Sequence, residues 1–389
     1  MNYRFDEDLN RRNSECIKWN RYPADVLPLW VADADYACPP EIVNALQERV
    51  AHPVYGYGRD LKGLLSAFTG FVDRKYGWKV DPSWVVVLPG VVTGTILAAR
   101  TLNEKGKTLV IQPPVYPPFF EVTDDTDLTL RYSNLINDGE GNYTVDFAAF
   151  EKDIADNAAM FLLCSPHNPV GRVFTREELR RMAEICLKYN VPICSDEIHS
   201  DLVYSEYQHT PLAMISPEIA NNSITLMAPS KTFNVAGLEC AMAIIPNEDL
   251  RKRFAASRVG IVSESNFLGV IAGIAGYSQG EEWLSEEIKH LQGNRDYLLE
   301  FIRAHIPEIK VAKPQGTYLA GLDCGELDLQ PSPYDFFLDN AKVGLSKGEY
   351  FGEPGKPFVR LNYACTRKTL VEALERMQRA VDRHIGRAN

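Results

Sequence analysis

The stretch SITLMAPSKTFNVAGL (223–238) runs from an apolar segment that reads as a buried strand, Ser223 to Met227, straight to a lysine among small residues, Lys231. A buried ammonium is costly unless a partner or a reaction uses it, so a lysine just beyond a core strand asks for a reason. Working outward, residues 50 to 280 repeat the pattern of short apolar runs alternating with amphipathic segments. WVVVL (84–88), TLVIQ (108–112), MFLLC (160–164), VPICS (191–195) and AMAII (241–245) are the other candidate strands. Helix-like stretches lie between several of them; TREELRRMAEICLKYN (175–190) opens with Thr175 and has Glu178 three residues on, the capping-box signature. Strands alternating with helices predict an α/β fold with a mostly parallel sheet covered on both faces.

The last hundred residues differ. Residues 280–307 have apolar positions at helical spacing, as expected of a long helix leaving one domain for another. Short strand-like pieces follow, IKVAKP, GTYLAGLD and PFVRLNYA, and then the amphipathic stretch 368–385. The spacing predicts a large domain over 48–282 and a smaller α+β domain built from 1–47 and 283–389.

A formal charge of −11 argues against a nucleic-acid or anionic-membrane partner, either of which needs clustered Lys and Arg in excess. Small-molecule chemistry is the expectation. The eight cysteines lie far apart with no CxxC pair, so they read as buried thiols in a reducing cytoplasm, and no metal is implied. The charged start, MNYRFDEDLNRRNSEC, has no apolar signal core, and no stretch approaches the ~18 apolar residues of a membrane span. A cytoplasmic location is expected.

The informative pattern is where the polar clusters sit. PGVVTG (89–94), PPVYPPF (113–119), SPHNPVG (165–171), DEIH (196–199) and APSK (228–231) each follow a candidate strand, at the carboxyl edge where open α/β sheets bind ligands. Each has a plainer reading. Gly90 and Gly94 shape a strand-to-helix turn, although Val92 and Thr93 would then open a helix whose free N–H groups attract an anion. Asn168 before a proline suits a turn, and Tyr116 between prolines suits either packing or a planar ligand. Asp196 and Glu197 are two adjacent acids directly after a core strand; pleat alternation points one inward and one away, and the inward carboxylate needs a cation. On spacing alone, a structural Lys231–Asp196 pair and a catalytic pair stand level.

Together these pieces resemble the fold type I pyridoxal phosphate (PLP) enzymes of the class I/II aminotransferase superfamily, through SPHNPVGRVFTREEL (165–179), ICSDEIHSDLVY (193–204), APSKTFNVAGL (228–238) and FVRLNYA (358–364). Within it the chain is most similar to the MalY/PatB cystathionine β-lyase subgroup, through LPLWVADADYACPPEI (27–42), VYGYGR (54–59) and QPPVYPPF (112–119). The resemblance implies a large domain with a seven-stranded sheet, a homodimer, and PLP as cofactor. It implies that Lys231 forms the Schiff base with PLP and then removes the α-proton, and that Asp196 faces the pyridine nitrogen. It further implies that Asn168 donates to the ring 3′-oxygen and Tyr116 stacks on the ring. Ser230 and the main chain at Val92 and Thr93 would hold the phosphate, Tyr57 reaching it from the neighbouring subunit, while Arg360 clamps the substrate carboxylate. Departures from the wider superfamily are Glu239 where a phosphate-binding Arg is usual, Ala228 for Ser, Ala241 for Gly, and His199 where a ring-contacting Tyr is usual; His199 is otherwise a hydrogen-bonded supporting residue. Ala34 and Tyr36 replace the Met and Phe usual in the subgroup. The implied reaction is α,β-elimination from a cysteine S-conjugate such as L-cystathionine, giving pyruvate, ammonia and a thiol. An aminotransferase using the same residues is the alternative, and a regulatory binding protein on the same fold a third.

Overall fold

The computed structural model describes residues 3–12, 14–58 and 61–387. Arg59, the last residue of VYGYGR, lies outside them.

The centre is a seven-stranded sheet of β1 (Val85–Leu88), β2 (Thr108–Ile111), β3 (Thr129–Tyr132), β4 (Ala158–Cys164), β5 (Ile193–Asp196), β6 (Ser223–Met227) and β7 (Ala241–Ile244), in the order β1-β7-β6-β5-β4-β2-β3. It is parallel except for β7, which runs antiparallel to both neighbours. Every residue of β2, β4, β5, β6 and β7 is buried, because helices cover both faces; this is why these strands are near-continuous apolar runs. The edge strand β3 (TLRY) has exposed ends and no apolar run, and it was not among the six candidate strands. Two expectations change. WVVVL loses Trp84 to a 3-10 turn, Pro82–Trp84, held by the Asp81 carboxylate accepting from Ser83 N. IKVAKP forms no strand beyond a single bridge between Lys310 and Asp323, and Pro314 has no N–H to extend it.

The covering helices include α1 (Pro40–Ala51), α2 (Lys62–Tyr76), α3 (Val91–Thr101), α4 (Phe147–Ala155), α5 (Arg176–Lys188) and α6 (Phe267–Gln279). In α5 the Thr175 and Glu178 capping box forms as expected. Gly276 of α6 permits Phe233, two residues beyond Lys231, to pack on the helix: a Cβ there would lie 2.6 Å from the ring. The long helix α7 (Glu281–His305) leads to an antiparallel sheet of β8 (Leu319–Asp323), β9 (Ser346–Lys347) and β10 (Phe358–Asn362), and then to α8 (Arg367–Ile385). Leu27–Pro28 pairs in parallel with Val343–Gly344, tying the N-terminal segment to this part. Position 47/48 falls inside α1 and 282/283 inside α7. One core cluster runs from Phe71 of α2 and Phe233 to Leu370 and Leu374 of α8.

Candidate active site

The carboxyl edge of the parallel strands opens into a cavity of about 290 Å3. Its wall brings together Val92, Thr93, Tyr116, Asn168, Asp196, His199, Ser230 and Lys231, eight of the residues expected from the sequence. Tyr57 is not among them; it is fully exposed and borders a separate hollow with Phe267 and Val270.

Strand β5 ends at Asp196, and the pleat sends the next carboxylate the other way. Glu197 is buried beneath the sheet, where its oxygens accept from Ser195 Oγ (2.8 Å) and Leu212 N (3.0 Å), and it pairs with His209 Nε2 (2.8 Å). Asp196 faces the cavity, 4% exposed, and accepts from Ile198 N at 3.1 Å. Burial pushes its carboxyl up to about 7, with the Glu197 charge adding to the rise. Lys231 occupies a one-turn helix, Pro229–Thr232, beyond β6. Burial brings its amine down to about 8, although Asp33 and Asp196 pull the other way. Its Nζ donates to Ala32 O at 2.6 Å, and among the described residues no ion pair joins it to Asp196. The structural Lys–Asp pair is therefore not the arrangement adopted.

Arg360, on β10, donates from Nη1 to Asn168 Oδ1 (3.0 Å) and from Nη2 to Trp30 O (2.7 Å) and Ser346 Oγ (3.0 Å). Because guanidinium only donates, this contact fixes the Asn168 amide with Oδ1 towards Arg360 and leaves Nδ2 to donate elsewhere. Among the described residues, Arg360 Nε and His199 Nδ1 are buried with no hydrogen-bond partner. Burial, with Lys231 and Arg360 nearby, holds the His199 imidazole well below its ordinary value and hence neutral; its ring stands edge-on to Tyr318 at 5.9 Å. Tyr116 leads into a 3-10 turn, Pro117–Phe120, and burial followed by the Asp196 charge raises its phenol.

The sequence reading missed the backbone of the segment over the cavity. Trp30 O meets Arg360, Ala32 O also accepts from Tyr318 Oη (2.9 Å), and Asn362 Nδ2 reaches Val31 O and Asp33 O. Behind it, Lys18 Nζ pairs with Asp35 Oδ2 at 2.8 Å and Arg11 with both Asp33 and Asp35. LPLWVADADYACPPEI marked this stretch, but carbonyl acceptors leave no trace in side-chain identity.

The donor set suits PLP. An amine and a facing carboxylate stand across one cavity, an amide donor is left over beside them, and the unpaired Arg360 Nε awaits an acceptor. Gly90, with extended backbone, precedes α3, so the first N–H groups of an eleven-residue helix open on the cavity where an anion is favoured. Glu239 is exposed and in the left-handed region (φ 56°), outside the cavity wall. Fold and site together define an α/β enzyme fold with a lysine-bearing cavity at its sheet edge. The family model "Aminotransferase class I and II" matches residues 24–377, and the chain belongs to that family. It is 37% identical to cystathionine β-lyase PatB of Bacillus subtilis over 97% of this chain and 99% of that one. It is 38% identical to cystathionine β-lyase of Corynebacterium glutamicum over 96% and 99%. The crystal structure of cystalysin from Treponema denticola, which contains pyridoxal 5′-phosphate, superposes with a TM-score of 0.95 at 32% identity, covering 98% of this chain and 100% of that one.

Proposed function

We propose that this chain is a PLP-dependent carbon–sulfur β-lyase that cleaves L-cystathionine or related cysteine S-conjugates to pyruvate, ammonia and a thiol. One observation carries the reading: Lys231, Asp196 and Asn168 line one cavity, with Arg360 bonded to Asn168, in a chain whose 37–38% identical relatives are cystathionine β-lyases.

Bound PLP supplies an electron sink that makes the α-proton of an amino acid removable. Lys231 holds the cofactor and, once the substrate amine takes its place, accepts that proton on Nζ; an amine near 8 has a ready neutral fraction at physiological pH. Asp196, whose charge is expensive without a cation opposite it, keeps the ring nitrogen protonated. Asn168 Nδ2 would donate to the ring oxygen, Tyr116 would stack on the ring and His199 would contact it as a neutral group. Ser230 and the start of α3 at Val92 and Thr93 would hold the phosphate. Arg360 takes the substrate carboxylate, with Nε as its open donor. The electron pair left at the α-carbon expels the β-thiolate, and the aminoacrylate once released takes up water to give pyruvate and ammonia.

Tyr57, exposed and outside the cavity of its own chain, is proposed to donate its hydroxyl to the phosphate of a second copy in a homodimer. The exposed Val54, Tyr55, Tyr57, Val259 and Ile261 supply apolar surface for it. Sedimentation velocity tests this: a monomer that retains full activity rejects it. Among the described residues no helix is long and apolar enough to cross a membrane, and a cytoplasmic location accords with the eight free thiols.

A substrate panel scored in parallel for pyruvate, thiol and keto-acid consumption tests the reaction. Release of pyruvate and thiol from S-substituted cysteines is expected. Turnover that requires a keto acid would instead favour an aminotransferase, the reading the family model leaves open.

A further inference from the structure

A single helical turn cannot orient itself, because the first turn fixes several residues for one hydrogen bond and nucleates with a constant of about 10⁻³. The turn carrying Lys231 is such a piece, and something outside Pro229–Thr232 must set its direction. Thr232, the residue after Lys231 and 1% exposed, donates from Oγ1 to Asp201 Oδ2 at 2.7 Å. The other oxygen, Oδ1, accepts from Tyr76 Oη at 2.5 Å. Asp201 is itself 6% exposed, five residues beyond Asp196 in the loop leaving β5, and Lys75 Nζ reaches its main-chain carbonyl at 3.3 Å. Lys75 and Tyr76 are the last two residues of α2.

The Thr232 hydroxyl has a second acceptor within its own turn, Ala228 O, at 3.3 Å. Bonds to a carboxylate are shorter and about twice as strong as neutral ones, which agrees with the outward contact being the closer. Three separate pieces of chain thus meet at one buried carboxylate: the loop after the strand bearing Asp196, the end of α2, and the lysine turn. Asp201 touches neither the cavity nor any reacting atom, and both its side-chain oxygens are spent on hydroxyls.

We propose that Asp201 is a positioning residue for Lys231: by gripping Thr232 and Tyr76 together, its carboxylate aims the lysine turn into the cavity. This rests on the reading that Lys231 carries PLP. A displacement of about 1 Å at a reacting group costs on the order of 100-fold in rate, so a brace one residue away acts on chemistry without touching it.

The test uses the PLP-loaded protein with Thr232→Val, which keeps the shape and removes the donor; Thr232→Ser, which keeps the donor; and Asp201→Asn, which keeps an acceptor for one hydroxyl. Steady-state kinetics, the pH midpoint of the bound cofactor's visible absorbance and urea unfolding are read on each. Thr232→Val and Asp201→Asn are expected to lower kcat by about tenfold or more with KM within about twofold. They should also move the absorbance midpoint by about half a pH unit or more, and Thr232→Ser should restore both. If Thr232→Val does not fold, Tyr76→Phe removes the other hydroxyl from the same carboxylate and is read in the same way. Loss of stability with kcat and the absorbance midpoint unchanged overturns the proposal. The absorbance is blind to the reaction catalysed, so a protein that releases no thiol but shows these shifts sinks the lyase reading and supports this one. A protein that takes up no PLP overturns both.

Discussion

Replacing Asp196 by Asn has opposite consequences with and without cofactor. The carboxylate is 4% exposed, has a single main-chain donor at 3.1 Å, and is lifted by burial from 3.8 to about 7. At about 1.36 kcal/mol per pH unit, that rise weighs roughly 4 kcal/mol against the ionised form. An acid that holds its proton more tightly in the folded chain costs nothing below its unfolded value of 3.8, where both states are protonated. The cost grows as pH climbs and is complete above about 7. Asparagine carries no charge to desolvate and still offers Oδ1 to Ile198 N, whose help to the carboxylate is already contained in the net rise to about 7. In protein stripped of PLP, Asp196→Asn is therefore expected to be more stable than the parent by up to about 4 kcal/mol at pH 8.5, the gap closing towards pH 4. Urea titrations followed by tryptophan fluorescence at pH 8.5, 6 and 4.5 measure it. Loaded with PLP, the same variant should lose turnover by about 100-fold or more, because only an ionised partner keeps a ring nitrogen protonated. An Asn variant no more stable than the parent at pH 8.5, or a gap that ignores pH, refutes the reasoning.

Lys231→Ala should abolish covalent retention of PLP and lower turnover by about 10³-fold or more. Borohydride treatment and peptide mapping of the parent should place the label on residue 231. For Arg360→Lys, steady-state kinetics should give a kcat/KM about 100-fold lower, since a point-charge ammonium cannot reproduce the planar fork that also holds Asn168 and Trp30 O. Lys18→Met strands the buried Asp35 carboxylate. Arg11 still bonds it at 2.5 Å, so the loss in urea unfolding should fall near the low end of the usual ~3–5 kcal/mol for breaking a buried pair.

What was legible in the sequence follows from what each residue has to do. The strands β4 to β7 are buried on both faces and have no choice but to be apolar, so they announce themselves; β3, half in water, carries Thr129 and Arg131 and does not. Alternation required Asp196 and Glu197 to part, and they do. Which one faced the cavity came only from the resemblance, because the deciding partners, His209 and Leu212 N, lie 12 and 15 residues on, along an irregular stretch. The groups proposed to position the lysine and arginine were harder still. Asp201 meets Thr232 across 31 residues and Tyr76 across 125, and the carbonyls of Trp30 and Ala32 meet Arg360 and Lys231 across 330 and 199. A side chain that reacts must be a particular type and so can be read directly, whereas one that positions need only offer an acceptor in the right place, which main chain supplies equally well. The same logic explains the Glu239 departure. Under the proposed function, an anion held by helix N–H groups and hydroxyls would not require a guanidinium at position 239, and Glu239 is indeed exposed at the surface.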